Sequence, residues 1–238
     1  MASTVPVRGL RRDDVPRAVA LHQQTLGMEF ISRCGAPFLR RYYVAWLQSP
    51  GGISVACVDD DDRVVGVLLG AVDPAGHIRM MVRRHGLGLA AHMAVAAVRW
   101  PALGKEVVVT RARRYAVGIW RLATTRGGRT QAAAAGPGPD DERVGEITHL
   151  VVDPSWQGKG LGRALVDTAV ERARAADLDA IVLVTPPDLA ARQFYLRLGW
   201  EEGAAMTSRS GEPFVRYRYP LRRAPGDVPP PRPEAEPA

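Results

Sequence analysis

The first third of the chain alternates between short apolar blocks and polar punctuation, a pattern that predicts strands and helices in turn. Proline and paired glycines end the second helix, and a run of aspartates separates two β-rich blocks. The predicted elements are a strand at Val5–Arg8, a helix capped by Asp13 or Asp14, a helix from Pro37 to the Ser49–Gly52 stop, and strands at Ile53–Val58 and Arg63–Val72. The predicted order is therefore β, α, α, β, β.

The last third is equally regular, and it predicts a strand, a glycine-rich turn and a helix before the chain returns to strands. A strand at Ala180–Thr185 is broken by two prolines, and the following helix can be capped by Asp188 and closed by Gly199. The predicted elements are a strand at Val144–Val152, a helix at Leu161–Ala176, the strand and helix just named, and a hairpin of 201–208 and 214–221 joined by Ser210-Gly211. Both thirds together predict an α/β fold with a mixed sheet.

The middle of the chain, 74–143, lacks a clear strand pattern. It contains two helix-like stretches, His85–Trp100 and Lys105–Leu122, and then an Ala-, Gly- and Pro-rich stretch, Gly127–Asp141, that is typical of a flexible loop. We therefore expect one domain over residues 1–223 with 74–143 as a helical and loop insertion. Residues 224–238 are rich in proline and are expected to form a disordered tail.

Charge changes this picture only slightly. The formal net charge is +7 and the pI is about 10.0, yet Lys105 and Lys159 are the only lysines, so the positive charge is almost all arginine. A basic protein favours anionic partners, although the same composition is what GC-rich coding would produce. The arginines are dispersed and no familiar nucleic-acid-binding motif accompanies them, so we expect no nucleic-acid partner.

The number of cysteines and the hydropathy of the chain indicate its cellular compartment. Cys34 and Cys57 are too few for a disulfide framework, and they show no metal-ligand spacing with the five histidines, so we expect no metal. The N-terminus has early arginines and no apolar core behind them, and so lacks the pattern of a signal peptide. The longest apolar stretch, Gly86–Val98, is shorter than the roughly 20 residues of a spanning helix. These observations predict a cytoplasmic protein without stable membrane insertion.

A glycine-rich turn between the strand at 144–152 and the next helix gives the strongest chemical signal. Its sequence is Gln157-Gly158-Lys159-Gly160-Leu161-Gly162. Glycines let the backbone approach a ligand closely, and the first N–H groups of a helix have no intrahelical partner. Such a turn can bind a pyrophosphate, and the side chains of Gln157, Lys159 and Arg163 can add donors.

Two other nucleotide sites use similar turns. A Rossmann site places an acidic residue at the end of the next strand, but this strand ends in Thr185-Pro186-Pro187. A P-loop ends in Gly-Lys followed by Ser or Thr, but the corresponding residues here are Gly162-Arg163-Ala164. Both alternatives are poorer matches than the one that follows.

The segment Leu150–Gly162 resembles the signature of the GNAT superfamily of N-acyltransferases, in which an R/Q-x-x-G-x-G/A turn binds acetyl-CoA. The segment Ala191–Trp200 is similar to the family's late helix, where a tyrosine precedes a Gly-aromatic pair by four residues. The resemblance is strong over 144–221, weak over 5–72 and absent from 74–143. It implies a GNAT-like fold with a central, splayed mixed sheet flanked by helices.

The resemblance also implies a set of site residues. The strand before the turn would pair its backbone with pantetheine, Tyr195 would protonate the departing thiolate, and Asp188 stands where many members have an Asn that supports the pantetheine region. An ionised Asp cannot donate from its side chain, which puts that one contact in doubt. The expected cofactor-binding residues are Leu150, Val151, Val152, Gln157, Gly158, Lys159, Gly160, Leu161, Gly162, Arg163 and Asp188.

The attacking amine must lose a proton, so a base is needed. Glu146 is our candidate because several members have Glu or His at this position, and period-two alternation places it on the same side as Thr148 and Leu150. The same alternation places His149 on the opposite face, as a packed or hydrogen-bonded core histidine. His149, water alone or a residue of the insertion remains an alternative base.

The sequence thus favours an enzyme that transfers an acetyl group from acetyl-CoA to a primary amine by direct attack in a ternary complex. A non-catalytic acyl-CoA-binding regulatory module is the alternative, although it would not need both Glu146 and Tyr195. Expected partners are acetyl-CoA and an amine acceptor, either a small molecule or a peptide or protein. A homodimer is left open.

Overall fold

The computed structural model describes residues 6–100, 142–208 and 211–222. Helices and strands follow one another in the order that the sequence predicts, with the exceptions given below. The strands are β1 (Val7–Gly9), β2 (Gly52–Val58), β3 (Val64–Ala71), β4 (Val144–Val152), β5 (Ala180–Thr185), β6 (Glu201–Thr207) and β7 (Pro213–Pro220), and the helices are α1 (Val15–Thr25), α2 (Phe30–Arg33), α3 (Ala36–Leu47), α4 (Pro74–Arg99), α5 (Leu161–Ala175) and α6 (Leu189–Arg197).

The described strands form one mixed sheet in the order β1-β2-β3-β4-β5-β7-β6. Neighbours are antiparallel except β4 and β5, which are parallel and pair only between 144–147 and 180–183. Beyond Ile147 and Leu183 the two strands part. Among the described residues, the second half of β4 therefore has β3 as its neighbour on one side and an open edge on the other. The predicted splayed mixed sheet is confirmed.

Helices cover both faces of this sheet and create two apolar cores. On one face α5 and α6 pack on the sheet through residues such as Leu165, Val170 and Tyr195. On the other face α1 and α3 pack through residues such as Leu21, Leu39 and Trp46. The three-layer α/β architecture therefore places the splay between two separate cores.

A β-bulge interrupts β4 at Thr148. In the pairing with β3, Leu69 lies opposite His149 while Gly70 lies opposite Ile147, so Thr148 is passed over. The extra residue reverses the alternation of side chains. Ile147 consequently lies in the core under α5, whereas Val151, four residues later, lies in the core under α1 and α3.

Helix α4 begins at Pro74, earlier than the predicted start at His85. The Asp73 side chain caps it by accepting from the Gly76 N–H at 2.8 Å, and Pro74 takes the first helical position, where its missing N–H costs nothing. Glycines at 76, 86 and 88 weaken the helical signal in the sequence. The helix packs on α3 through a third apolar cluster that includes Phe38, Leu89 and Ala96.

Other predictions need smaller corrections. Asp14 precedes α1 but makes no capping hydrogen bond there; its carboxylate instead accepts from the Arg8 guanidinium at 2.7 Å and from the Arg11 N–H at 2.7 Å. The one-turn helix α2 was not predicted. The predicted helix 105–122, the loop 127–141 and the tail 224–238 lie outside the described residues, so the expected domain limits stay predictions. Within the described ranges, no helix combines the length and hydrophobicity needed to cross a bilayer.

Candidate functional site

The open edge of β4 is the centre of the candidate site. Leu150 and Val152 pack on the core under α5, while Val151 is buried on the opposite face. Side chains therefore fix the strand from both sides and leave its backbone facing the splay. The side-chain amide of Gln157 donates to the Val152 carbonyl oxygen at 3.3 Å, and this hydrogen bond connects the following turn to the end of the strand.

The glycine turn has the backbone geometry that only glycine adopts freely. Gly158 and Gly160 have φ of +76° and +81°. Gly160 is the N-cap of α5 and offers no capping side chain, so the first N–H groups of the helix point to the exposed surface of the turn. A Cβ atom at either glycine would meet no atom of the described residues within 4 Å. The turn therefore offers N–H donors and open space together, the arrangement that binds phosphate.

Gly162 has a different role from its neighbours. A Cβ atom there would lie 3.3 Å from Cζ of Phe194, so this glycine permits the close approach of α5 and α6. Leu161, buried beside it, belongs to the same core as Tyr195. The glycine turn and the late helix are thereby brought into direct contact.

The predicted side-chain donors of the turn are exposed. The Lys159 ammonium lies 4.4 Å from the centre of the Trp156 ring, and the Arg163 Nε lies 3.4 Å from a carboxylate oxygen of Asp167. An exposed pair of this kind holds its partners weakly, so both cations can turn toward an anion. Asp188 caps α6 by accepting from the Ala190 N–H at 3.2 Å, as expected of a helix cap.

Tyr195 lies in the aromatic part of the core under α5 and α6. Its ring contacts Phe194, Trp200 and Tyr217, with ring centres 5.0–5.6 Å apart. Burial, helped by the neighbouring Tyr217, raises the pKa of Tyr195 to about 12. The phenol is therefore protonated at neutral pH and can act as a proton donor.

Glu146 lies on the other face of the sheet. It precedes Ile147 in β4 and faces Arg216 of β7, whose neighbours Val215 and Tyr217 turn into the core under α5. Burial raises the pKa of Glu146, and the charge of Arg216 partly opposes this shift. Among the described residues, no cation lies within the 4 Å of an ion pair with Glu146. A carboxylate of this kind is a stronger base than an exposed one.

The prediction that His149 faces away from Glu146 is wrong. The bulge at Thr148 shifts the alternation, so Glu146 and His149 lie on the same face and Leu150 lies on the opposite one. The packed environment expected of His149 is present, since its Nε2 lies 3.0 Å from the Tyr42 hydroxyl and burial lowers its pKa to about 4. Single-sequence alternation cannot locate a bulge, which depends on the pairing partner.

His22 and Glu29 lie beside His149 and are not among the residues predicted from the sequence. His22 is fully buried in α1, and Glu29 precedes α2. Neither residue belongs to a recognisable motif. Their proximity depends on how α1 packs on β4, and no spacing in the sequence indicates it.

Residues 127–200 match the model of the acetyltransferase (GNAT) family. The match starts inside the predicted insertion and contains β4, the glycine turn, α5, β5 and α6. It therefore includes all of the predicted catalytic and cofactor-binding residues.

Named relatives match over part of the same region. A mycothiol acetyltransferase of Nocardiopsis dassonvillei is 42% identical over 73 residues, which are 30% of this chain and 22% of that protein. An uncharacterized N-acetyltransferase of Methanocaldococcus jannaschii is 38% identical over 64 residues, which are 26% of this chain and 28% of that protein. The chain thus spans less than a third of the length of either relative.

Solved structures match nearly the whole chain in fold. The ribosomal-protein-S18-alanine N-acetyltransferase of Escherichia coli has a TM-score of 0.51 at 12% identity and is matched over 94% of this chain and 97% of its own. A histone acetyltransferase-related protein of Corynebacterium glutamicum has a TM-score of 0.53 at 19% identity, over 92% of this chain and 97% of its own. At these identities the likeness establishes a shared fold.

Proposed function

The chain contains a domain of the GNAT acetyltransferase superfamily, and from this premise we propose that it transfers the acetyl group of acetyl-CoA to a primary amine by direct attack in a ternary complex. The observation that supports the proposal most is the open edge of β4 leading directly into a glycine turn at the start of α5. One ligand with a peptide-like arm and a pyrophosphate can satisfy both features.

Each part of acetyl-CoA then has residues that can bind it. The backbone of Leu150, Val151 and Val152 pairs with the pantetheine arm in the place that β5 leaves vacant. The N–H groups of the turn from Gly158 to Gly162 hold the pyrophosphate, with Gln157, Lys159 and Arg163 as side-chain donors. Asp188 supports the pantetheine region through the start of α6.

The chemistry needs one base and one acid. The amine nitrogen attacks the thioester carbonyl carbon, and the C–S bond breaks as the new C–N bond is completed. Glu146 accepts the proton of the ammonium, directly or through water, before or during attack. Tyr195 donates its proton to the departing thiolate as the C–S bond breaks. The second proton of the attacking nitrogen is lost as the amide forms and restores the phenol, directly or through water.

The acceptor is a primary amine of a small molecule or of a peptide or protein. The named structures act on different acceptors, so the fold does not select among them. We further propose that residues 1–223 form the catalytic domain with 74–143 as its insertion and 224–238 as a tail. A cytoplasmic location is supported by the small number of cysteines, since the chain has two, Cys34 and Cys57, and both are buried.

The direct test is a screen of primary amines with the full chain and acetyl-CoA, detecting free thiol. We expect thiol release with a subset of amines and stabilisation of the fold by CoA alone. Stabilisation by CoA with no thiol release from any amine would favour the non-catalytic acyl-CoA-binding module. The absence of both effects would refute the proposal.

A further inference from the structure

A second group of polar residues lies on the face of the sheet that is covered by α1 and α3. His22 comes from α1, Glu29 from the segment before α2, and His149 from β4 beside the bulge. The Nε2 atom of His22 and the Nδ1 atom of His149 each lie 3.5 Å from the same carboxylate oxygen of Glu29. The three ligand atoms all lie within 4.8 Å of one another.

Each histidine is oriented by a tyrosine. The outer nitrogen of His22 lies 3.0 Å from the Tyr43 hydroxyl, and that of His149 lies 3.0 Å from the Tyr42 hydroxyl. The inner nitrogen of each ring is buried and has no hydrogen-bond partner within the part of the chain that the structure describes. If the outer nitrogen donates to the tyrosine oxygen, the inner nitrogen has a free lone pair directed at Glu29.

The distances distinguish two interpretations of this group. An N–H···O hydrogen bond has its heavy atoms about 2.7–3.2 Å apart, so 3.5 Å is too long for either histidine to donate well to Glu29. Tetrahedral zinc has ligand bonds of about 2.0–2.2 Å, which place neighbouring ligand atoms roughly 3.3–3.5 Å apart. Two of the three edges of the group already have the length that a shared ion requires.

Exposure supplies an entry path. The side chains of His22 and His149 are 0% and 10% exposed, whereas that of Glu29 is 40% exposed. An ion can therefore enter on the side of Glu29, and a water can complete its coordination there. Holding the outer nitrogen of a ligating histidine by a hydrogen bond is also what metal sites in proteins do to fix the ring.

We propose that His22 Nε2, His149 Nδ1 and the Glu29 carboxylate form a site for a divalent transition metal ion, with Zn²⁺ the best match to two imidazoles and one carboxylate. The ion would tie α1 and the segment before α2 to β4 at its bulge. The expectation of no metal considered the spacing of cysteines and histidines, and these three ligands come from separate segments that no such spacing connects. The site shares no residue with the proposed acetyl-CoA site, so either proposal can fail without the other.

The test is titration of the metal-free full chain with Zn²⁺ by calorimetry and with Co²⁺ by visible absorption. We expect one ion per chain, bound with a Kd of about 1 μM or tighter. Glu29→Gln should weaken binding by about 100-fold or more and abolish the Co²⁺ bands of a low-symmetry site. The matched control Glu171→Gln removes an exposed carboxylate of α5 and should leave both results unchanged.

A second variant guards against effects of Glu29 on folding. Tyr43→Phe removes the group that orients His22 and should weaken Zn²⁺ binding by about 10-fold. Wild-type protein that binds no ion stoichiometrically would overturn the proposal and assign the group to long hydrogen bonds. Binding that is equal in wild type, Glu29→Gln and Tyr43→Phe would overturn it as well, because the ion would then be held elsewhere.

Discussion

At the residue scale, Glu146 and Tyr195 belong to opposite faces of the sheet. The two faces communicate where β4 and β5 part, just after Ile147 and Leu183. A thioester placed in this gap can be reached by a base from one face and an acid from the other. The raised pKa of Glu146 increases its basicity, which supports the proposed role of base, and the Tyr195 phenol keeps the proton that the proposed acid must donate.

Tyr195→Phe tests the acid. The variant keeps the ring that packs on Trp200 and Tyr217 but removes the proton donor. We expect turnover to fall by about 100-fold while the affinity for CoA changes by less than about twofold, because the lost interaction forms with the thiolate. Steady-state rates and CoA titration measure the two quantities. Tyr219→Phe, in the same aromatic group, is the control, and turnover of Tyr195→Phe within twofold of wild type would exclude Tyr195 as the acid.

Glu146→Gln tests the base. Because burial raises the pKa of Glu146, wild-type turnover should fall as the pH drops through that raised pKa, where the carboxylate becomes protonated. The variant should lose about 100-fold at neutral pH and recover part of this loss at high pH, where more of the acceptor amine is already neutral. Its unfolding temperature should be unchanged or higher, since a buried charge is removed.

The pH profile of turnover and thermal unfolding decide the role of Glu146 together. Glu201→Gln, an exposed carboxylate of β6, is the control and should behave as wild type in both measurements. A Glu146→Gln variant that loses stability and activity together, without recovery at high pH, would assign Glu146 to structure.

Tyr195 and Glu146 are predicted from the sequence for different reasons, and this difference explains why the face of Glu146 could not be predicted reliably. Tyr195 follows from a local motif on one helix, so its position needs no knowledge of the tertiary structure. The face on which Glu146 lies depends on the phase of β4, and the bulge at Thr148 changes that phase. His22, Glu29 and His149 form a group only after α1 packs on β4, so no local pattern could reveal it.

At the element scale, the turn and the start of α5 divide their glycines between two tasks. Gly160 needs its positive φ and faces open space, whereas Gly162 is limited by Phe194. A side chain at Gly160 would therefore enter the space of a ligand. A side chain at Gly162 would instead separate α5 from α6.

Gly160→Val should abolish the rise in unfolding temperature that CoA produces in wild type, because the side chain blocks backbone approach to the pyrophosphate. Without ligand it should lose about 1–2 kcal/mol of stability through its left-handed backbone. Gly211→Val is a matched control, since Gly211 has φ of +87° and also faces open space, but in the β6–β7 turn. It should show a similar loss of stability with the CoA effect intact. A normal CoA effect in Gly160→Val would show that the turn is not the pyrophosphate site.

Elements with one dominant signal were predicted well, and those with mixed signals were not. The helix α5 has a clear apolar face and a glycine start, and its predicted bounds differ from the observed ones by one residue. The helix α4 has glycines along its length and no single apolar face. It packs on α3 through the third apolar cluster, to which α2 also contributes. Its capped start at Asp73 and Pro74 was present in the sequence but was hidden by the weak helical pattern.

At the scale of the whole molecule, the predicted order of strands and helices is enough to predict the α/β architecture without any knowledge of side-chain packing. A late strand, a glycine turn and a helix lead back to a parallel neighbour, which is the one crossover in the described sheet that needs a helix. The contact of α4 with α3 could not be foreseen, because it depends on tertiary packing of a segment outside the family pattern. That contact also determines how the molecule should respond to acid.

His77 should make the fold sensitive to acid. Its ring in α4 is buried and stacks on Trp46 of α3 with ring centres 3.6 Å apart. Neither ring nitrogen has a hydrogen-bond partner among residues 6–100, 142–208 and 211–222. Burial lowers the pKa of His77 to about 4 against an opposing effect of Asp73, from an unfolded value of 6.5. Between these values the unfolded chain binds a proton that the folded chain does not, so stability falls as the pH drops from about 6.5 to about 4, by up to about 3 kcal/mol.

Replacing His77 isolates this effect from the titration of carboxylates. His77→Phe keeps an aromatic ring against Trp46 and removes two buried nitrogens, so it should be neutral or stabilising at pH 7.5 and should lose less stability than wild type at pH 4.5. Urea unfolding at the two pH values measures the difference. His92→Phe, a partly exposed position on the same helix, should leave the wild-type difference unchanged. Equal losses in wild type and His77→Phe would show that the titration of His77 does not cause the loss of stability in acid.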